Sequence, residues 1–167
     1  MTIPEGEASA VDLRFAVVAS RYNPFITERL LTGAIEALRT NGATEENISV
    51  FRVPGSFEIP QMARKIAEQK KFDAIICLGA LIRGETLHFE LISFECARGV
   101  QRIAADFGIP VTFGVITADT MEQAIQRAGE RSENKGWEAA LAAIEMANLY
   151  SSFPKHKGAK ARRINRE

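Results

Sequence analysis

Cysteine, histidine and tryptophan are scarce in this chain: two, two and one among 167 residues. Cys77 falls in an apolar run and Cys96 in a helical pattern, and neither belongs to a CxxC pair, so a reducing cytoplasm fits better than a disulfide scaffold. The two histidines, His88 and His156, lack metal-ligand spacing. His88-Phe89-Glu90 matches the HxE of zinc deaminases, but the PCxxC partner is missing, so no metal is expected. No apolar run approaches 18 residues, and no transmembrane span is expected. The first twelve residues are polar and acidic, unlike a secretory leader. No GxGxxG follows a strand, no Walker loop occurs, and Ser20, Ser56 and Ser93 lack a nucleophile-elbow context. Net charge is zero, so nothing overall points to nucleic acid or a membrane surface. The sign is uneven: residues 154–167 carry six Lys/Arg against one Glu, leaving 1–153 at −5. The expectation is one domain over 1–153 and a mobile basic tail over 154–167.

What is present is an alternation of apolar strands and amphipathic helices. Strands are expected at Leu13–Ala19, Ile48–Val53, Asp73–Ile82 and Pro110–Ile116. A helix opens at Asn23-Pro24, with Asn as N-cap and Pro in the first turn. Its apolar face is Ile26, Leu30, Leu31, Ala34 and Leu38. A second helix runs from about Glu58. A third spans His88 to Phe107, with Leu91, Phe94, Ala97, Ala104 and Phe107 expected inward. Thr120 and Gln123 form a capping-box pattern for a fourth, which breaks at Gly129. A fifth runs from Asn134 to Tyr150. The third strand is apolar nearly throughout, as suits a parallel strand covered on both faces. The pattern predicts an α/β fold with a four-stranded, mainly parallel sheet and helices on both sides. Residues around Val11 are candidates for a short extra strand, within the chain or on a neighbour.

Three of the strands end in unusual residues: Ser20-Arg21-Tyr22-Asn23, Val53-Pro54-Gly55-Ser56-Phe57-Glu58, and Arg83-Gly84-Glu85-Thr86-Leu87-His88. In a parallel sheet these ends share the edge where ligands bind. The third is a glycine-containing turn opening a helix, which suits an anion. The set also offers two aromatics, a carboxylate that can hold hydroxyls, and a histidine that can accept and release protons. An aromatic ring bearing a polyol chain and an anionic group fits such a site. Taken singly, each residue has a plainer reading. Tyr22 suits a loop aromatic, Phe57 a hydrophobic staple, Glu58 a macrodipole partner, Arg83 a surface ion pair and His88 a structural histidine.

These segments, with Leu78-Gly79-Ala80-Leu81-Ile82 before the turn, Pro110 to Thr117, Gln123 to Gly129 and Asn134-Lys135-Gly136-Trp137-Glu138-Ala139-Ala140, make the chain resemble the lumazine synthase family from about Arg14 to Leu149. The resemblance implies a flavodoxin-like three-layer αβα sandwich. It also implies condensation of 5-amino-6-(D-ribitylamino)uracil with 3,4-dihydroxy-2-butanone 4-phosphate, the penultimate step of riboflavin biosynthesis, without a cofactor. It places Tyr22 and Asn23 at the pyrimidine, Ser56, Phe57 and Glu58 at the ribityl chain, and Leu81 and Ile82 under the heterocycle. Gly84, Glu85 and Thr86 receive the phosphate, and His88 shuttles protons. Phe113, Arg127 and Lys135 act from a neighbouring subunit, the latter two on the phosphate. It implies a pentamer, in many members a 60-subunit icosahedral shell, with riboflavin synthase as a candidate partner. Glu130-Arg131-Ser132-Glu133 departs from the Thr-Lys-Xaa-Gly common in relatives, near the turn that governs pentamer–pentamer contact. The competing readings are a non-catalytic flavin- or lumazine-binding module and a cage protein.

Overall fold

The computed structural model describes residues 1–153; the expected basic tail lies outside them. The sheet holds four strands, β1 (Phe15–Ser20), β2 (Ile48–Val53), β3 (Ala74–Ile82) and β4 (Val111–Ala118), in the order β2-β1-β3-β4. Every pairing is parallel, so the expected "mainly parallel" sheet is wholly parallel. Phe15 of β1 faces Ile48 of β2 and Ala74 of β3, and Ile75 of β3 faces Val111 of β4. All six β1 residues are buried, whereas β2 is an edge strand with Val50 exposed. Parallel strands need a crossover helix on a face of the sheet, and a sheet covered on both faces has hydrophobic strands throughout.

Five helices supply the cover: α1 (Pro24–Thr40), α2 (Ile59–Gln69), α3 (His88–Phe107), α4 (Met121–Gln126) and α5 (Lys135–Ser151). On one side, Ile26, Leu30, Ala34 and Leu38 of α1 and Ala139, Ala140, Ala143, Ile144 and Ala147 of α5 pack on Phe15, Val17, Ile76, Leu78 and Ile116. On the other, Ile59, Ala63 and Ile66 of α2 and Cys96, Val100 and Ile103 of α3 pack on Val18, Ile75, Cys77 and Val115. No helix among the described residues is long and apolar enough to cross a membrane.

Four details differ from the sequence reading. The largest concerns α3, whose buried residues are Cys96, Val100 and Ile103, while Leu91 is 62% and Phe94 67% exposed. The helix has two apolar stripes, and the sheet takes the one through Ile92, Cys96 and Val100. Asn23 stands at the N-cap position of α1, but its backbone is left-handed (φ 53°) and its side chain does not cap. The amide instead donates to the Ala80 carbonyl oxygen at 2.9 Å, tying the loop after β1 to β3. Within the chain no strand forms around Val11; there Ala10 is buried and its N–H donates to the Asn41 carbonyl at 2.8 Å. Helix α4 ends at Gln126, three residues before Gly129. The Thr120 cap is present, accepting from Gln123 N–H at 3.3 Å, although Gln123 Oε1 accepts from Asp119 N–H and not from Thr120.

Candidate functional site

Because β1 is followed in space by β2 on one side and β3 on the other, the sheet changes winding direction between β1 and β3. In open parallel sheets that switch point opens a crevice at the carboxyl ends of the strands. A cavity of about 560 Å³ lies there, lined by Tyr22, Asn23, Gly55, Ser56, Phe57, Glu58, Leu81, Ile82, Gly84, Thr86, His88, Phe89 and Ile92. Its size falls within the roughly 300–1,000 Å³ usual for small-molecule sites.

Each wall has a local cause. After β1, Arg21 N–H extends the ladder to the Val53 carbonyl (2.8 Å), and Ser20 Oγ accepts from Tyr22 N–H (3.1 Å). The turn is therefore tight, and Tyr22 is left 67% exposed beside the cavity. After β2, a single 3-10 turn (Ser56–Glu58) leads into α2 and leaves Phe57 half exposed. A ring this exposed is not serving as a buried staple. Ser56 is buried, and its Oγ has no hydrogen-bond partner among the described residues. It lies 2.8 Å from where a Cβ on Gly79 would sit, so β3 must have glycine there for the serine to fit. After β3, Leu81 and Ile82 are half-buried and form the floor. A Cβ on Gly84 would meet nothing within 4 Å, so the turn is open on that side. Thr86 Oγ1 accepts weakly from His88 N–H (3.4 Å), and no side chain caps α3 at Leu87. His88 is exposed as the first residue of α3.

The cavity thus brings together ten of the residues expected from the sequence: Tyr22, Asn23, Ser56, Phe57, Glu58, Leu81, Ile82, Gly84, Thr86 and His88. Glu85 belongs to the same turn but does not line it. Phe113 lies on the edge strand β4, 41% exposed. Arg127 and Lys135 line a separate depression with Gln126, Ser132, Glu133 and Glu138. Lys135 N–H donates to the Arg127 carbonyl (2.9 Å), and Lys135 Nζ donates to Glu138 (2.5 Å). Within one chain these last three residues do not reach the cavity.

Gly55, Phe89 and Ile92 line the cavity without having been expected. Ile92 follows His88 by four positions, and the i, i+4 rule on α3 carries the signal that finds it. Arg83 takes the plainer of its two readings. Its Nε donates to Asp119 Oδ1 (2.6 Å), its Nη1 pairs with Glu90, and its guanidinium stacks 4.5 Å over Phe89. The Arg83 bond holds the Glu90 carboxyl below its ordinary pKa. Burial pushes the Cys96 thiol up to about 12 and raises Cys77 further, so both thiols stay protonated and neither suits nucleophilic work.

A match to the family described as 6,7-dimethyl-8-ribityllumazine synthase covers residues 12–151. The chain is 52% identical over 149 residues to the 6,7-dimethyl-8-ribityllumazine synthase of Desulfatibacillum aliphaticivorans, covering 89% of this chain and 96% of that one. It is 51% identical over 148 residues to the enzyme of the same name from Syntrophus aciditrophicus (strain SB), with 89% and 96% covered. With a family match across nearly all the described residues and half of the positions shared with such relatives, the chain belongs to the 6,7-dimethyl-8-ribityllumazine synthase family.

Proposed function

We propose that the cavity at the ends of β1, β2 and β3 is the site at which 5-amino-6-(D-ribitylamino)uracil condenses with 3,4-dihydroxy-2-butanone 4-phosphate. The protein is then a transferase of riboflavin biosynthesis, as its family membership indicates. The observation that carries the reading is the convergence of two exposed rings, an unpartnered serine hydroxyl, a carboxylate, an open glycine turn and a histidine around one cavity. Tyr22 and Phe57 offer faces for a pyrimidine, Leu81 and Ile82 an apolar floor. Ser56 and Glu58 offer hydrogen bonds to a ribityl chain, and Asn23 fixes the loop that carries Tyr22. Backbone N–H groups near Gly84, Glu85 and Thr86, at the start of α3, suit a phosphate.

In this reading the primary amine attacks the ketone and an imine forms with loss of water. Phosphate leaves next, and attack by the ribityl-bearing nitrogen closes the ring with loss of a second water. Each step moves protons between nitrogen, carbon and oxygen. His88 is the side chain placed to carry them. A phosphate held at the turn is fixed for departure, and no metal or organic cofactor enters.

Phe113, Arg127 and Lys135 complete the site from a neighbouring subunit, which makes a homo-oligomer necessary. A pentamer gives each cavity one such neighbour, and sixty subunits make the shell. The departure at Glu130–Glu133 bears on the shell and not on the chemistry. Residues 1–153 serve as one domain, working in the cytoplasm, and riboflavin synthase is the partner suited to take up the product. Incubating the protein with both substrates and following lumazine absorbance and fluorescence tests the reading. Product at a rate proportional to enzyme is expected; tight pyrimidine binding without product would make the cavity a binding module.

A further inference from the structure

The turn that opens α3 carries Gly84, Thr86 and His88 at the cavity, yet its own internal bonding is slight. One 3.4 Å contact from His88 N–H to Thr86 and the Leu91-to-Leu87 helix bond are what the described residues give it beyond Arg83. Something must hold it, since a binding group misplaced by about 1 Å can lose about 10²-fold in rate. Arg83 immediately precedes the turn. Its N–H donates to the Ala118 carbonyl at the end of β4 (2.9 Å). Its Nε donates to Asp119, whose own N–H donates to Gln123 in α4 (2.9 Å). Its Nη1 pairs with Glu90 in the first turn of α3, and its guanidinium covers Phe89. Arg83 does not line the cavity; it lines a neighbouring depression with Asp119, Gln123, Phe94 and Arg127.

From this geometry we infer that Arg83 is a positioning residue for the reaction, a clamp that ties the phosphate turn and the start of α3 to the end of β4 and, through Asp119 and Gln123, to α4, the helix that Arg127 directly follows. The inference rests on the site reading above. It has a consequence particular to a shared site. Each subunit offers its turn to its own cavity and its Arg127 to a neighbour's, and one guanidinium joins the two. The two guanidinium bonds and the stack use the planar fork of arginine, which a lysine cannot reproduce. The side chains involved are substantially exposed, so the clamp contributes little to global stability and its effect belongs in binding and turnover.

The test compares wild type with Arg83→Met, Arg83→Lys and Asp119→Asn. The affinity for inorganic phosphate is read by calorimetry, and KM for each substrate by steady-state kinetics. Arg83→Met is expected to weaken phosphate and raise KM for the phosphate-bearing substrate about tenfold, with kcat falling as His88 loses its place. KM for the pyrimidine should stay within about twofold. Lysine should recover less than half of the loss. A merely structural role would lower the active fraction and leave both KM values unmoved, which overturns the inference. Asp119→Asn decides the remaining alternative by sign. A clamp predicts weaker phosphate binding. An Arg83 held in reserve as a direct phosphate ligand predicts tighter binding once its carboxylate partner is gone, and that outcome also overturns the clamp. Turnover by the wild type decides the site reading separately: a wild type that binds phosphate without making product defeats that reading, while the calorimetric ratios still decide the role of Arg83.

Discussion

The side of the sheet covered by α1 and α5 is closed within the chain, and the side covered by α2 and α3 is not. On the closed side, α5 presents Ala139, Ala140, Ala143 and Ala147, so its backbone comes close to the strands and to α1. A Cβ on Gly136 would lie 2.0 Å from the Leu30 carbonyl oxygen, and one on Gly33 would lie 2.6 Å from the Asn134 side chain. Buried Asn134 is fully satisfied at that crossing. Its Oδ1 accepts from Gly136 and Trp137 N–H, and its Nδ2 donates to Arg29 and Gly129 carbonyls. On the other side α3 buries one stripe and leaves Leu87, Leu91 and Phe94 in the open. That is also the side from which Phe57 and His88 reach the cavity. Close packing secures the fold on one side; the other has apolar surface and reactive groups that only an outside molecule can satisfy.

The sharpest way to break the closed side is Gly136→Ala. The obstacle is backbone, which cannot rotate away, and overpacking of this kind costs about 3 kcal/mol at the upper end of its usual range. A fall of roughly 10 °C in melting temperature is expected for a chain of this size. A variant that melts with the wild type would mean that α1 and α5 are free to separate, and the contrast between the sides would fail.

On the open side the expected effect is on rate. His88→Ala should lower kcat by about 10²-fold, the low end for a positioned acid–base group, with the melting temperature unmoved because the imidazole is exposed. An unchanged kcat at saturating substrate removes His88 from the mechanism. The same variant tests the sharing of sites. Mixed with Arg127→Ala subunits and allowed to reassemble, it should regain activity at about a quarter of the interfaces, where both wild-type residues meet. No recovery in a fully reassembled mixture would confine each site to one chain.

The contrast between the sides also explains what could be read from sequence. The closed side obeys one period: Ile26, Leu30, Ala34 and Leu38 were expected inward on α1 and are buried. The three strand ends were legible because their chemistry is out of place in a turn, and a parallel sheet puts them on one edge. Helix α3 misled because two stripes have helical period. Periodicity reports that a face is apolar, not which partner covers it, and the larger side chains Leu91 and Phe94 belong to the uncovered stripe. Asn23 misled because Asn before Pro suits both a side-chain cap and a left-handed backbone, and only the contact with Ala80 separates them. The proposal of Phe113, Arg127 and Lys135 rests on the family resemblance alone, since nothing in one chain brings them to the cavity.

Leu91→Ser with Phe94→Ser probes the uncovered stripe directly. Both side chains already face solvent in the single chain, so the stability of the isolated subunit should change by no more than about 0.5 kcal/mol. The oligomer should dissociate, seen as a loss of native mass, and activity should be lost with it while the subunit's circular dichroism is retained. If the mass holds, the stripe is not an assembly surface. If the subunit unfolds instead, the α2/α3 side depends on residues that the chain leaves exposed, and the comparison of the two sides would have to be redrawn.

The smallest effect asks whether charge assists packing on the closed side. Glu28 of α1 pairs with Arg52 at the end of β2, joining a helix of that side to the sheet's edge. The hydrogen bond from Arg52 holds the Glu28 carboxyl below its ordinary value of 4.5. A carboxyl lowered in the folded state binds its proton more weakly there than in the unfolded chain. Its contribution to stability is therefore present above about pH 4.5 and is lost as the pH falls through the lowered value. Glu28 is 53% and Arg52 32% exposed, so solvent screening limits the pair to about 0.5 kcal/mol. Arg52→Met keeps the apolar stem and removes the charge. The stability difference between wild type and variant, from urea unfolding, should be measurable near about pH 7, close to zero near about pH 3, and reduced by about 1 M salt. A difference that persists in acid would assign Arg52 to packing through its stem, and α1 would then owe its seat on the sheet edge to apolar contact alone.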